Sequence, residues 1–287
     1  MSLDREPRDR NTPAAAYIGG HGSTLLLLHG FGATWAVWKP VLAALESRHR
    51  VIAMTLPGHH GGPAYAGSGD ATVAGLADQV IATMHSEGIT SAHVAGNSLG
   101  GWLSLELARR GFAQSVVAFS PAGGWRAEAE FQALADPFRI LYRWIRVLLF
   151  LVTPFAGFAS LRKMLSKQAM EHGDRVPEED FRASLRAISM TPVMPGVLRT
   201  GARDGPIAPL QAGNLPIRIV WAECDRVIPY SMYGEPLVER VDGADLRFIA
   251  GVGHVPMYDD PRSVVNHIFE VTAAADAAVM TTEGAAP

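Results

Sequence analysis

Strand-like and helix-like segments alternate at both ends of this chain, with an all-helical stretch between them. That order predicts an α/β fold: a doubly wound, mostly parallel sheet carrying an inserted helical cap. Three observations carry the prediction. Short apolar runs such as Leu25-Leu26-Leu27-Leu28 are too short for helices and have no polar face, as expected of strands buried on both sides. Segments of helical length separate these runs. From Ala122 to Gly213 strand patterns cease, and they return with Ile217-Arg218-Ile219-Val220-Trp221.

Taken in order, residues 1–16 are charged and then Ala-rich and are expected to be flexible. The core is expected over 17–121 and 214–275, with only a short segment ahead of the Leu25 strand. A helix over roughly 37–47 and a strand at 50–54 follow, then the breaker-dense loop Leu56-Pro57-Gly58-His59-His60-Gly61-Gly62-Pro63. Asp70 reads as the N-cap of a helix over 73–86. Further strands are expected at 93–95 and 115–119. Within the cap, 122–213, helices are expected at 128–134, 138–152 and 178–188, with Pro192, Pro195, Pro206 and Pro209 marking its exit. A strand at 246–249 and a helix over 261–274 close the core, and a loose tail is expected over 276–287.

Composition excludes several classes. The 287 residues are 48% hydrophobic, which is incompatible with global disorder. A net charge of -3 offers no basic footprint for nucleic acid. Cys224 stands alone, so neither an internal disulfide nor a multi-cysteine metal site is available. Met1 to Asn11 has no apolar segment of the secretory type, and a cytoplasmic location is expected. The apolar run from Val147 to Gly157 is bounded by Arg139, Arg143, Arg146 and Arg162 and broken by Pro154. It falls short of the roughly 20 residues that cross a bilayer, so no membrane span is expected.

The most informative motif is Gly96-Asn97-Ser98-Leu99-Gly100, set between a strand and the helical pattern beginning at Trp102. A G-x-S-x-G in that setting is a nucleophile elbow, a turn so tight that its flanking glycines must lack side chains. Two further motifs accompany it: His29-Gly30-Phe31-Gly32 after the early strand, and a late Asp225 followed by Gly253-His254. On these motifs the chain resembles the serine-nucleophile branch of the α/β-hydrolase superfamily over nearly its whole length. The order Ser, then acid, then His is that family's order.

The resemblance implies an α/β-hydrolase fold and a Ser98, Asp225, His254 triad. A serine hydroxyl is too weakly acidic to attack a carbonyl at neutral pH without a base. Among ten His, His254 alone follows the last strand and precedes the closing helix. An imidazole ordinarily titrates near pH ~6.5, which suits a proton shuttle. Asp225 is preferred to Glu223 because Asp225-Arg226-Val227-Ile228-Pro229 resembles the family's acid loop; Asp259 and Asp260 read as caps of the last helix. By the same resemblance the backbone N–H groups of Phe31 and Leu99 form an oxyanion hole, and His29 shapes a loop. Thr55 stands where relatives commonly carry Asp. His59-His60 lacks companion ligands, and no metal or cofactor is expected.

Trp35, Trp125, Leu141, Trp144 and Met257 are candidates for an apolar substrate pocket, although a stripe at helical spacing is most often packing. The expected activity is cleavage of a small to medium apolar carboxylic ester through an acyl-enzyme. Thioesters, lactones, carbon–carbon bonds and acyl transfer stay open, as does a receptor-like protein with little turnover. A Ser at the elbow opposes the dehalogenase and epoxide hydrolase branches, which use a carboxylate nucleophile. The residues after His29-Gly30 do not match the ring-fission branch, which carries further Gly, Pro and Asn there.

Overall fold

A computed structural model describes residues 15–283 of the chain. The core opens with β1 (Ala16–Gly19), β2 (Ser23–Leu28), α1 (Lys39–Leu45), β3 (His49–Met54) and α2 (Val73–Ser86). It continues through β4 (Ala92–Asn97), α3 (Leu99–Arg109) and β5 (Ala113–Phe119). Four helices then intervene: α4 (Glu128–Val152), α5 (Ala159–Ser166), α6 (Glu178–Ser189) and α7 (Met194–Asp204). The chain returns with β6 (Leu210–Gln211), β7 (Ile217–Ala222), α8 (Glu235–Val238), β8 (Val241–Asp242), β9 (Asp245–Ile249), α9 (Pro256–Asp259) and α10 (Pro261–Glu283).

Seven strands make one sheet in the order β1-β3-β2-β4-β5-β7-β9. Only β1 is antiparallel; the remaining pairings are parallel. Strands β6 and β8 form a separate two-stranded parallel ladder. The leucine run of β2 shows why the strands are apolar throughout. Leu25 and Leu27 face one side, joining Trp38, Leu45 and Ile268 from the flanking helices. Leu26 and Leu28 face the other, against Leu76, Val80 and Leu103. Both sides are buried, so polar alternation would leave unpaired groups in a core, whereas each buried leucine contributes about 1.5–3 kcal/mol.

Several sequence expectations need correction. Ala16, the end of the stretch expected to be flexible, joins residues 17–19 in β1, so the short segment ahead of the Leu25 strand pairs with β3; residues 1–14 of that expectation lie outside the described part. Thr72, not Asp70, caps α2, accepting the Gly75 N–H at 3.0 Å. Asp70 instead takes a bidentate contact from Arg199 of α7. The two helices expected at 128–134 and 138–152 are one helix with Pro137 inside it. Pro137 and Ala133, whose carbonyl the proline cannot serve, are both exposed, so water can take the orphaned acceptor. Helix α7 was hidden by Pro195, which sits in its first turn, where proline is tolerated. The tail expected to be loose from 276 is helical to Glu283, and Asp276 accepts from Ser23 and lies 3.1 Å from His93 Nε2.

The inserted helices are anchored to the core by polar contacts as well as packing. Asp180 on α6 is buried, pairs with Lys39, and accepts the Tyr258 hydroxyl at 3.3 Å. Among the described residues no helix is long and apolar enough to cross a membrane.

Candidate active site

Ser98 sits between the end of β4 and the start of α3 with φ 56°, a left-handed conformation that non-glycine residues adopt only under constraint. The constraint is a closed set of backbone bonds. Ser98 N–H donates to Phe119 O at 3.0 Å, and Ser98 O accepts from Trp102 N–H and Ala122 N–H, both at 3.0 Å. The turn tolerates no side chain beside it. A Cβ on Gly96 would lie 2.1 Å from Gly100 O, and one on Gly100 would lie 2.1 Å from Leu28 O.

His254 Nδ1 lies 2.7 Å from Asp225 Oδ2, and both side chains are buried. Asp225 Oδ1 accepts the N–H groups of Val227 and Ile228 at 3.0 and 2.8 Å, which fixes the carboxylate and aims its other oxygen at the ring. With Asp225 as acceptor, Nδ1 carries the proton and Nε2 is the basic nitrogen. Glu223, the competing acid, is engaged elsewhere: it accepts Gly251 N–H at 2.8 Å. The Ser98 hydroxyl makes no hydrogen bond among the described residues, to His254 included; such contacts often tighten only when substrate is bound.

Two residues whose part here the sequence reading did not foresee hold this loop. Asn97, inside the elbow motif, donates its amide to His254 O at 2.8 Å and to Phe119 O at 3.1 Å. Its signal was present, since a buried amide at the end of an apolar strand needs partners. Asp259 does not cap α10; that is Asp260, which accepts Ser263 N–H at 3.0 Å. Asp259 instead accepts Gly253 N–H (2.8 Å) together with Glu171 N–H (2.9 Å) and His172 N–H (2.7 Å). The residue before His254 and the α5–α6 connection thus share one buried carboxylate.

The loop after β2 approaches the elbow closely, as a Cβ on Gly30 would lie 3.1 Å from Ser98 Cβ. His29 shapes it by accepting Leu56 N–H on Nε2 at 2.9 Å and donating from Nδ1 to Gly30 O at 2.7 Å. Complete burial, then the neighbouring His59, holds its pKa well below the usual histidine value, so it is a neutral brace. Thr55 accepts Trp35 N–H at 3.3 Å, the loop anchor that its position suggests. Leu99 opens α3, so its N–H has no partner within the helix.

A cavity of about 390 Å³ is lined by Ser98, Leu99 and Phe31 and walled by Trp102, Trp125, Phe131, Leu134, Phe138 and Leu198. The wall comes from α3, the segment before α4, α4 itself and α7. Glu106 and Arg109 also line it. Burial alone would raise the Glu106 carboxyl, but hydrogen bonds from Arg109 and Arg110 outweigh it and hold it below the ordinary range.

Of the five side chains expected to bind substrate, Trp125 alone is in this lining. Trp35 stacks on Tyr17 at 5.4 Å, and Met257 is fully buried in the core. Leu141 and Trp144 sit beyond the turns of α4 that line this cavity, and Trp144 is 56% exposed. The α4 face toward the elbow carries Phe131, Leu134, Ala135 and Phe138, a spacing the sequence showed without saying which way it pointed.

A mostly parallel sheet with a strained residue between strand and helix defines an α/β-hydrolase fold. The chain belongs to the alpha/beta hydrolase family, whose sequence profile matches residues 25–267. It is 29% identical over 200 residues to epoxide hydrolase EphH of Mycobacterium tuberculosis, which covers 67% of this chain and 91% of that protein. In structure it is similar to the 2-hydroxy-6-oxo-6-phenylhexa-2,4-dienoate hydrolase of Rhodococcus sp. strain RHA1, with a TM-score of 0.71, 20% identity, and coverage of 90% of this chain and 94% of that one. It is also similar to a thermophilic esterase from Thermogutta terrifontis, with a TM-score of 0.70, 20% identity, and coverage of 91% and 93%.

Proposed function

We propose that the chain is a serine hydrolase of carboxylic esters, acting in the cytoplasm on small to medium substrates with an apolar limb. The observation that carries this reading is the pairing of a strained, glycine-flanked Ser98 with the buried His254–Asp225 couple at 2.7 Å. Ser98 Oγ attacks the ester carbonyl carbon as its proton passes to His254 Nε2. The N–H groups of Phe31 and Leu99 receive the negative charge that develops on the carbonyl oxygen. Collapse breaks the carbon–oxygen bond, and the alkoxide takes the proton from His254, leaving an acyl group on Ser98. Water then gives a proton to His254 and attacks the acyl carbon; the acyl–Oγ bond breaks, Ser98 Oγ takes the proton back from His254, and the acid is released. Asp225 keeps the ring in the tautomer that accepts at Nε2 throughout. The apolar wall of the cavity supports an apolar limb.

Epoxide opening, the activity named for the mycobacterial relative, fits these residues less well. A carboxylate nucleophile yields an ester that water can cleave at its carbonyl. An epoxide opened by Ser98 would leave an ether with no carbonyl to attack. The test is turnover of a panel of p-nitrophenyl esters, a thioester, a lactone and an aryl epoxide by the wild type. Ester hydrolysis with a burst of one p-nitrophenolate per chain is expected. Epoxide turnover without ester turnover would overturn the assignment, and binding without any turnover would favour a receptor.

A further inference from the structure

The outer face of the cap carries a run of large apolar side chains left exposed. Ile140, Trp144, Val147 and Leu151 recur at helical spacing along one side of α4, and each is more than half exposed. Phe150 is 81% exposed, and Phe155, Phe158 and Met164 carry the patch on into α5. The same stretch is cationic. Arg139, Arg143, Arg146, Arg162, Lys163 and Lys167 fall within it without one Asp or Glu, in a chain whose net charge is -3.

These cations do not all face outward. Arg162 turns inward to the carbonyls of Ala156 and Gly157, and Arg139, Lys163 and Lys167 pair with Asp136, Asp174 and Glu171 from outside the stretch. Arg143 lies over the Trp144 ring, 5.8 Å from its centre. Beside Phe150, a shallow notch lined by Leu149, Thr153 and Pro154 is rimmed by Arg182 and Arg186. Arg182 pairs with Glu178 one turn away on α6, and guanidinium groups thus border the apolar ridge.

We propose that this face docks on an anionic lipid bilayer, with the ridge among the acyl chains and the arginines at phosphate level. An apolar helix face edged with Arg, bearing Trp and Phe, is the arrangement that lies in a membrane interface. Anionic headgroups supply the charge that the stretch lacks. A second copy of the chain fits less well, because a two-fold contact would set Arg143 and its neighbours against themselves with no carboxylate in the stretch to pair them. No described helix is both long and apolar enough to span, so the proposed contact is peripheral. This inference is independent of the reaction catalysed at Ser98.

The test is co-sedimentation of the full chain with vesicles of phosphatidylglycerol mixed into phosphatidylcholine, and with phosphatidylcholine alone. Light scattering would report the oligomeric state in parallel. Retention on the anionic vesicles is expected to exceed that on neutral ones by about tenfold or more, and to fall several-fold in high salt. A Phe150→Ser/Leu151→Ser double variant, shown folded by circular dichroism, should lose that retention, and Arg143→Glu should weaken it. No retention on anionic vesicles, or equal retention on both kinds, would overturn the proposal. So would a dimer in solution that the double variant dissociates.

Discussion

The turn around Ser98 and the outer side of α4 treat their side chains in opposite ways. At the elbow nearly every group is spoken for: Ser98 is bonded through both its backbone groups, Asn97 spans two loops, and glycines stand where a Cβ would meet a carbonyl at 2.1 Å. On α4, large apolar side chains point away from the rest of the chain, Phe150 at 81% exposure among them. The first region spends conformational strain to hold a hydroxyl in place. The second leaves apolar area in water, which costs roughly 25 cal/mol per Å² until something covers it. The first region satisfies its groups within the chain, whereas the second leaves its side chains uncovered, which is why we propose a surface outside the chain for it.

This contrast can be broken or sharpened by substitution, beginning with the largest effect. Ser98→Ala should lower ester turnover by about 10⁴-fold or more while leaving the melting temperature nearly unchanged, because a smaller side chain fits the turn. Residual turnover within tenfold of wild type would move the nucleophile elsewhere. Asp225→Asn should cost less than Ser98→Ala but far more than Glu223→Gln, whose carboxylate holds Gly251 rather than His254; the reverse ranking in kcat would reassign the acid.

Gly96→Ala should destabilise by about 3 kcal/mol in urea titration, or prevent folding, since backbone and not a flexible side chain blocks the added methyl. Loss of only a few tenths of a kcal/mol would show the turn to be looser than described.

Acid should destabilise the elbow's surroundings through His59. Its ring is buried, with Nδ1 3.2 Å from Pro57 O and Nε2 without a partner among the described residues, and desolvation lowers its pKa to about 4. The unfolded chain therefore binds a proton from about pH 6.5 downward that the folded chain refuses. Stability falls as pH drops through that window, by up to about 3 kcal/mol for this group alone. Melting curves at pH 7.5 and 5 should show the loss, and His59→Gln should shrink the gap between them; an unchanged gap would remove His59 as its source. At the small end, Phe150→Ser should shift stability by less than about 0.5 kcal/mol, as expected where a side chain has little packing to lose.

What the sequence made legible follows the same division. The leucine run of β2 could be read as a doubly buried strand because burial leaves a mark at every position. The elbow could be read because steric exclusion forces glycine at Gly96 and Gly100. Helix α7 could not, since a proline looks the same whether it ends a helix or opens one. Asp259 was equally opaque: a carboxylate before a helix looks like a cap, and only the chain's return at Glu171 and His172 reveals its three N–H partners. For Trp144, periodicity gave the stripe but not its direction, and the direction decides between pocket and surface.

The account turns on whether Ser98 is activated. Reaction of the full chain with a fluorophosphonate, followed by intact mass for wild type, Ser98→Ala and His254→Ala, tests this most directly. One adduct per wild-type chain, none on Ser98→Ala, and strongly slowed labelling of His254→Ala is the expected result. A folded wild type that stays unlabelled, or a Ser98→Ala variant that labels as fast, would contradict it.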